Sequence, residues 1–384
     1  MMAVNFGYFL SFGVLNPVLP RFIRGPLHQS DVGVGIGLAS FTVTALLLRT
    51  FSGRFGDRRG RHLGIRLGCI ANTLGMAGLL LAHSLVHVVL LRLFGGVAEA
   101  FIFVGVATAV QDISPDDRRG EAASLFSLSL FIALAIGPIL GEQTLNHYGY
   151  HGVWILATCA AGFGVLFSWT IPDTRQAGTA TGPRPPLVHR AAIGPGAILG
   201  CAIWGLAAFN GYMPLYALKI GLHGASPVFL ANAIVIMLFR SVGARIPDRF
   251  GPLRTARFAL FFTPVGLAIM AFWATIPGLF TGAIVMAVGQ ALAFPALMSV
   301  AVNNAPANER GAVMGTFTAF FDLSFGGGAL ALGVVSRALG YNGAFGAASV
   351  VASIGFLTLL LKPPPMRKPE AITHHVLEVA PPGE

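Results

Sequence analysis

Long stretches of this sequence carry no formal charge, and that limits the fold before any motif is read. Asp, Glu, Lys and Arg are absent from Leu67 to Leu91, from Ala122 to Gly141 and from Gly152 to Pro172. They are absent again from Ala191 to Leu218, from Ile220 to Phe239 and from Phe258 to Asn308. A helix needs about 20 apolar residues to cross the hydrocarbon core of a bilayer. The last stretch therefore needs two crossings, with a turn near Ile276-Pro277-Gly278. Of the 384 residues, 55% are hydrophobic and only 10% charged, whereas a soluble domain carries about 25% charged residues. So few charges cannot cover a water-facing surface.

The expected fold is all-α, with twelve transmembrane helices near 3–20, 32–51, 65–83, 85–110, 121–143, 152–171, 193–216, 227–245, 256–275, 278–302, 311–335 and 341–361. An open sheet would leave backbone groups unpaired in lipid, and barrel strands would alternate polar with apolar residues, which these stretches do not. The 49 glycines suit membrane helices that approach one another closely. A net charge of +10 invites a nucleic-acid partner, but the distribution argues against one. With the N-terminus in the cytoplasm, 18 of the 25 Lys and Arg fall on the cytoplasmic loops and tail. The opposite side holds Arg21, Arg24, Lys219 and Arg337, and three more lie deeper within spans. That asymmetry is the positive-inside pattern and places both termini in the cytoplasm of an inner-membrane protein. Cys69, Cys159 and Cys201 fall inside spans and read as small buried apolar residues, with no disulfide framework. The first span has no basic n-region or small-residue cleavage site before it, so a retained helix is expected.

The chain repeats itself at a displacement of 191 residues. Arg49 falls on Arg240, Arg54 on Arg245, Asp57 on Asp248, Arg58 on Arg249 and Gly60 on Gly251. Further along, Pro115-Arg119-Gly120 positions recur as Pro306, Arg310 and Gly311, and Gly149-Tyr150 recurs as Gly340-Tyr341. One offset across three loops implies duplication of a six-span unit. The expected organisation is a six-helix bundle at 1–172, a cytoplasmic linker at 173–192, a second bundle at 193–361 and a disordered tail at 362–384. His374-His375 in that tail is too sparse for a metal site, and no metal or cofactor is expected.

The loop after the second span reads Gly53-Arg54-Phe55-Gly56-Asp57-Arg58-Arg59-Gly60-Arg61-His62. It resembles the G-x-x-x-D-R-x-G-R-[RK] signature of the major facilitator superfamily, in the same position between spans two and three. The second half carries a weaker copy, Arg245-Ile246-Pro247-Asp248-Arg249-Phe250-Gly251. Arg92-Leu93-Phe94-Gly95-Gly96 resembles that family's R-x-x-x-G motif in span four. Gly137-Pro138-Ile139-Leu140-Gly141 is similar to the G-P-x-x-G of its antiporter motif, with Glu142 where a glycine is usual. The resemblance implies a secondary transporter with a central cavity, a small-molecule substrate and a functional monomer. It points most to the twelve-helix, proton-coupled drug and small-molecule efflux branch. Proton-coupled uptake of a sugar, organic acid or other nutrient is the alternative.

Independently of the family, the loop has a physical reading. Its glycines permit a tight turn, Asp57 can face a helix N-terminus, and Arg58 and Arg61 can pin the loop as a gate. Asp248 and Arg249 are the second-half counterparts. Ionisable groups inside a bilayer are expensive and mark a pathway or a proton relay. Arg92 and Glu99 lie seven residues apart on one face of span four, about 10 Å along the axis, and a static pair between them is the competing reading. Asp322, between Phe321 and Leu323 in span eleven, is the second mid-membrane acid and has no cation in its own helix. Glu99 falls on Gln290 at the 191 offset and Asp322 on Phe131, so the halves are electrically unequal. Asn16, Asn210, Trp204, Gln290 and Phe294 are candidate cavity-lining residues, and Pro17, Pro138 and Pro295 are expected to bend their helices. No G-x-x-x-x-G-K-[ST] and no nucleophile–base constellation occurs, which argues against a nucleotide-driven pump and against an enzyme.

Overall fold

The computed structural model describes residues 1–114, 119–174, 188–243, 250–305 and 309–364. Among them every regular element is helical. In chain order these are α1 (Met2–Leu15), α2 (Leu19–Arg24), α3 (Asp31–Arg59), α4 (Arg61–Gly78), α5 (Leu85–Ile113), α6 (Arg119–Ser168), α7 (Arg190–Lys219), α8 (Ser226–Gly243), α9 (Pro252–Phe272), α10 (Ile276–Asn303) and α11 (Arg310–Leu361). Nine helical stretches among the described residues are long and apolar enough to cross a membrane, α1 and α2 counting as one. Their outward faces are apolar: Leu166 is 70% exposed and Phe272 86% exposed. Such a surface suits contact with lipid.

Two helices are too long for one crossing. The 50 residues of α6 and the 52 of α11 would each run about 75 Å or more, against a hydrocarbon core of about 30 Å. Each is interrupted once, at Gly149 (φ 67°, ψ −169°) and at Gly340 (φ 72°, ψ −177°). The loops expected between spans five and six and between spans eleven and twelve are thereby reduced to single residues. The same repeat appears at Gly60 (φ 97°, ψ 139°) and Gly251 (φ 85°, ψ 145°), which end one helix and begin the next. Residues 191 apart thus share a backbone conformation that side-chain-bearing residues avoid.

Proline behaves less uniformly than expected. Pro17 lies in a break that divides the first span into α1 and α2, whereas Pro138 and Pro295 lie inside helices that continue through them. A proline removes one backbone bond, and neighbouring helices can hold the rest in place. Cys69 is buried, but Cys159 is exposed on the apolar outer surface rather than buried. Most of the proposed linker and the tail beyond 364 lie outside the described residues, as do Asp248 and Arg249.

The two faces of the helix array are called here the motif face, which carries the Gly60 and Gly251 turns, and the far face, which carries Asp31 and Ser226. Between the halves, α3 packs on α11 and α6 packs on α8. The first seam is close: a Cβ at Gly35 would lie 2.5 Å from the Ala329 carbonyl oxygen.

The positive-φ positions give a direct test of the fold. Gly149→Ala and Gly340→Ala should each destabilise the protein by about 1–3 kcal/mol, read as a lowered unfolding midpoint in detergent. Gly194→Ala, in a helix with open space at its Cβ, should not lower it. Equal midpoints for all three would contradict the backbone geometry.

Candidate functional site

Three interior polar residues lie at one depth. Glu99 lies fourteen residues after Leu85 at the far-face end of α5, Arg240 fourteen after Ser226 in α8, and Gln290 fourteen after Ile276 in α10. At 1.5 Å per residue each is about 21 Å from the far face, the midpoint of a 28-residue helix such as α10. Proton- and substrate-handling groups of a membrane protein are expected at such a level.

Glu99 and Arg92 do not form the pair that their spacing allowed. The Tyr8 hydroxyl of α1 donates to Glu99 Oε2 at 2.5 Å. Arg92, 4% exposed, instead places its guanidinium 4.6 Å from the Phe41 ring centroid and 5.7 Å from that of Phe12. Seven residues separate the two side chains by two helical turns, and each finds a nearer partner on a neighbouring helix. Beside Arg92, Asn72 Nδ2 donates to Ser11 Oγ at 3.0 Å, and Ser11 in turn donates to the Tyr8 carbonyl. Asn72 Oδ1 and Arg92 Nε face a small recess without a hydrogen-bond partner among the described residues.

Asp322 also departs from expectation, because it has a cation. Arg49 Nη2 of α3 lies 2.7 Å from Asp322 Oδ2 of α11, an ion pair that spans the two halves. Asp322 is 4% exposed. The 191 offset carries Arg49 onto Arg240 and Phe131 onto Asp322. Arg240 of α8 lies over the Phe131 ring of α6 at 4.4 Å, again across the halves. One seam is closed by an ion pair and its counterpart by a cation–π contact. Sequence reading used Arg49 and Arg240 only as repeat markers. Their position deep in otherwise apolar spans was the signal that both have work in the interior.

The remaining cross-half bonds lie toward the far face. Asp31 pairs with Arg24 at 3.0 Å and accepts from Ser336 Oγ of α11 at 2.8 Å. Glu142, 4% exposed, accepts from the Ala225 and Ser226 backbone N–H groups at 2.7 and 2.8 Å. Those N–H groups open α8, so the carboxylate satisfies orphan donors and sits at the positive end of the helix dipole. The glycine usual at that motif position could not do this. Arg21 Nη1 stands 3.7 Å from Glu142. These cross-half bonds lie at the Arg49–Asp322 level and toward the far face. The molecule is closed on its far face.

Gly137 and Gly141 serve packing. A Cβ at Gly137 would lie 2.7 Å from the Gly13 Cα, and one at Gly141 would meet the Val14 carbonyl, so both let α6 lie against α1. Trp204 packs on α11 beside Gly328, and Phe294 packs edge-on against Phe317 at 5.4 Å. Asn16 caps α1 at the break and Asn210 is half-buried in α7. Gln290 Nε2 is buried without a partner among the described residues. On the motif face, Arg61 pairs with Asp112 at 2.5 Å and His62 with Asp173 at 3.5 Å, tying the Gly60 turn to the ends of α5 and α6. The side chains at Gly53, Asp57 and Arg58 lie outside what is described.

Helical composition, a midplane polar cluster and seams related by the repeat are features of a duplicated transporter. The Major Facilitator Superfamily model matches residues 1–324 and, in a second match, 228–380. The chain belongs to that family. An uncharacterised MFS-type transporter of Salmonella typhimurium is 28% identical over 365 residues, covering 92% of this chain and 93% of the relative. The staphylopine export protein of Staphylococcus aureus is 25% identical over 396 residues, with 93% and 95% covered. A crystal structure of a POT family transporter in complex with a thioalcohol-conjugated peptide superimposes with a TM-score of 0.79 at 15% identity, 94% of each chain being covered. The chain thus has the MFS fold and comes from a family of membrane transporters, not of enzymes.

In this MFS protein the Arg49–Asp322 pair should be energetically coupled. Removing one partner of a buried pair leaves an uncompensated charge, at about 3–5 kcal/mol, while replacing both with apolar groups is close to neutral. Arg49→Met and Asp322→Leu should each lower the unfolding midpoint in detergent, and the double variant should recover most of the loss. Additive losses would show that the pair is not a unit.

Proposed function

We propose that this protein exports a small molecule in exchange for protons, by alternating access of two six-helix bundles at 1–172 and 193–361. The single observation that carries the reading is the midplane pairing of Glu99 with Tyr8 and of Asp322 with Arg49. On this reading the Arg49–Asp322 attraction holds the far face shut while Asp322 is ionised. A proton on Asp322 removes the charge, weakens the cross-half attraction and allows the bundles to rock about the midplane site. Glu99, held by a single hydroxyl donor, is the second site for proton exchange. Export is favoured by the antiporter-like Gly137-Pro138 segment and by the similarity to an export protein. Twelve crossings follow when α6 and α11 are divided at their glycines and α8 is counted.

Glu99→Gln and Asp322→Asn should both reach the membrane. At least one should lose gradient-driven transport by about a hundredfold or more, the scale of a positioned proton carrier, while keeping substrate exchange. The measurement uses proteoliposomes loaded with a pH-sensitive dye, a broad panel of candidate substrates and an imposed pH gradient. If both variants move protons with substrate at the wild-type ratio, neither carboxyl is the carrier.

The proposed orientation puts both termini, the linker and the Gly60 turn in the cytoplasm and the far face outside. Gly224 packs against Glu142, so the neighbouring exposed His223 is the better reporter. An impermeant thiol reagent should label His223→Cys but not Gly182→Cys in intact cells, in a background lacking Cys159. The opposite pattern reverses the topology.

A further inference from the structure

The repeat exposes an interior cation that the proton reading leaves unused. Arg49 and Arg240 are equivalent residues, at equivalent places on α3 and α8, and each faces the opposite half. Arg49 meets the Asp322 carboxylate at 2.7 Å, and at the corresponding position Arg240 meets the Phe131 ring at 4.4 Å. Among the described residues no carboxylate pairs with Arg240, and its Nε is buried without an acceptor. Arg92 likewise has a buried Nε without a hydrogen-bond partner among the described residues, with Phe12 and Phe41 against its guanidinium and Glu99 as the nearest acid on its own helix. Gln290 adds an unpartnered Nε2 at the Arg240 depth.

Guanidinium groups in an apolar interior are costly unless they are paired or used. Aromatic faces offset part of that cost and leave the N–H fork free. The interior therefore offers donors without acceptors. With Arg49 neutralised by Asp322 and Glu99 as the other acid, Arg49, Arg92 and Arg240 outnumber the two carboxylates by one. The excess grows whenever an acid is protonated. A neutral or cationic cargo would leave that excess uncompensated, whereas an anionic one would neutralise it.

We propose that the substrate is a carboxylate-bearing anion whose carboxylate pairs with Arg240, occupying in the second seam the place that Asp322 occupies in the first. Phe131 stands where an acid would otherwise neutralise Arg240, and so keeps the site available. Gln290, at the same depth, carries a further unpartnered donor. The proposal rests on the transport reading above and names the chemical class of its cargo.

The test measures binding, so its outcome is separate from that of transport. Citrate, a small multivalent carboxylate, is titrated against the full-length protein in detergent, with the neutral trimethyl ester as control and the unfolding midpoint as readout. Citrate should raise the wild-type midpoint and the ester should not. Arg240→Gln should weaken the apparent affinity about ten- to a hundredfold, the worth of a charge-assisted hydrogen bond. Phe131→Asp should weaken it comparably by supplying an internal carboxylate, while Phe131→Asn should have a smaller effect. If Phe131→Asp fails to fold, Arg240→Lys serves in its place, keeping the charge and losing the planar fork. The proposal is overturned if citrate does not shift the wild type, if the ester shifts it equally, or if Arg240→Gln responds as the wild type does. Any of these would leave the proton-coupling experiment to stand or fall by itself. Loss of proton coupling with citrate binding intact would instead keep the anion site and remove the exchange mechanism.

Discussion

Arg49 and Asp322 meet between the halves with their side chains 12% and 6% exposed. An ionised side chain at bilayer depth costs about 2.5–3.5 kcal/mol by insertion scales, so each requires the other. The requirement reaches beyond the pair. It holds α3 against α11 at mid-depth, and it supports a close approach that continues through Gly35 and Ala329 to Asp31 and Ser336. Adding a proton to one carboxylate changes the electrostatic reason for that whole seam to be closed.

The second seam is built on the same backbone plan with different chemistry. Arg240 rests on Phe131 at mid-depth, and Glu142 caps the first N–H groups of α8 at the far face. A cation–π contact changes little on protonation, because the ring has no proton to gain. Duplication supplied two equivalent seams that differ at one position, Asp322 against Phe131, so that one carries an ion pair and the other a cation over an aromatic ring. The far-face contacts add closure through hydrogen bonds that are local to each seam.

Much of this was legible from residues. The charge-free runs dictated helices, because no other regular structure satisfies its backbone in lipid. The 191-residue offset dictated equivalent turns, and Gly60 with Gly251, and Gly149 with Gly340, adopt matching positive-φ conformations. Glu99, Arg92 and Asp322 stood out because charge is rare inside spans. Helix boundaries were less legible at Gly149 and Gly340, since a single glycine can turn a chain that composition alone reads as needing a loop.

Partnership was the part that sequence could not supply. Spacing along α5 allowed Arg92 and Glu99 to meet, yet Tyr8 takes Glu99 and two phenylalanines take Arg92. Asp322 has no cation within the span expected at 311–335, and its partner stands 273 residues earlier in the chain. Glu142 departs from a glycine motif, and only the fold shows that α8 begins against its carboxylate. The sequence by itself determined that these groups are buried in an apolar medium and therefore must be paired or used. Only the tertiary structure decided which helix brings each partner, because side chains on different helices meet through packing and not through spacing.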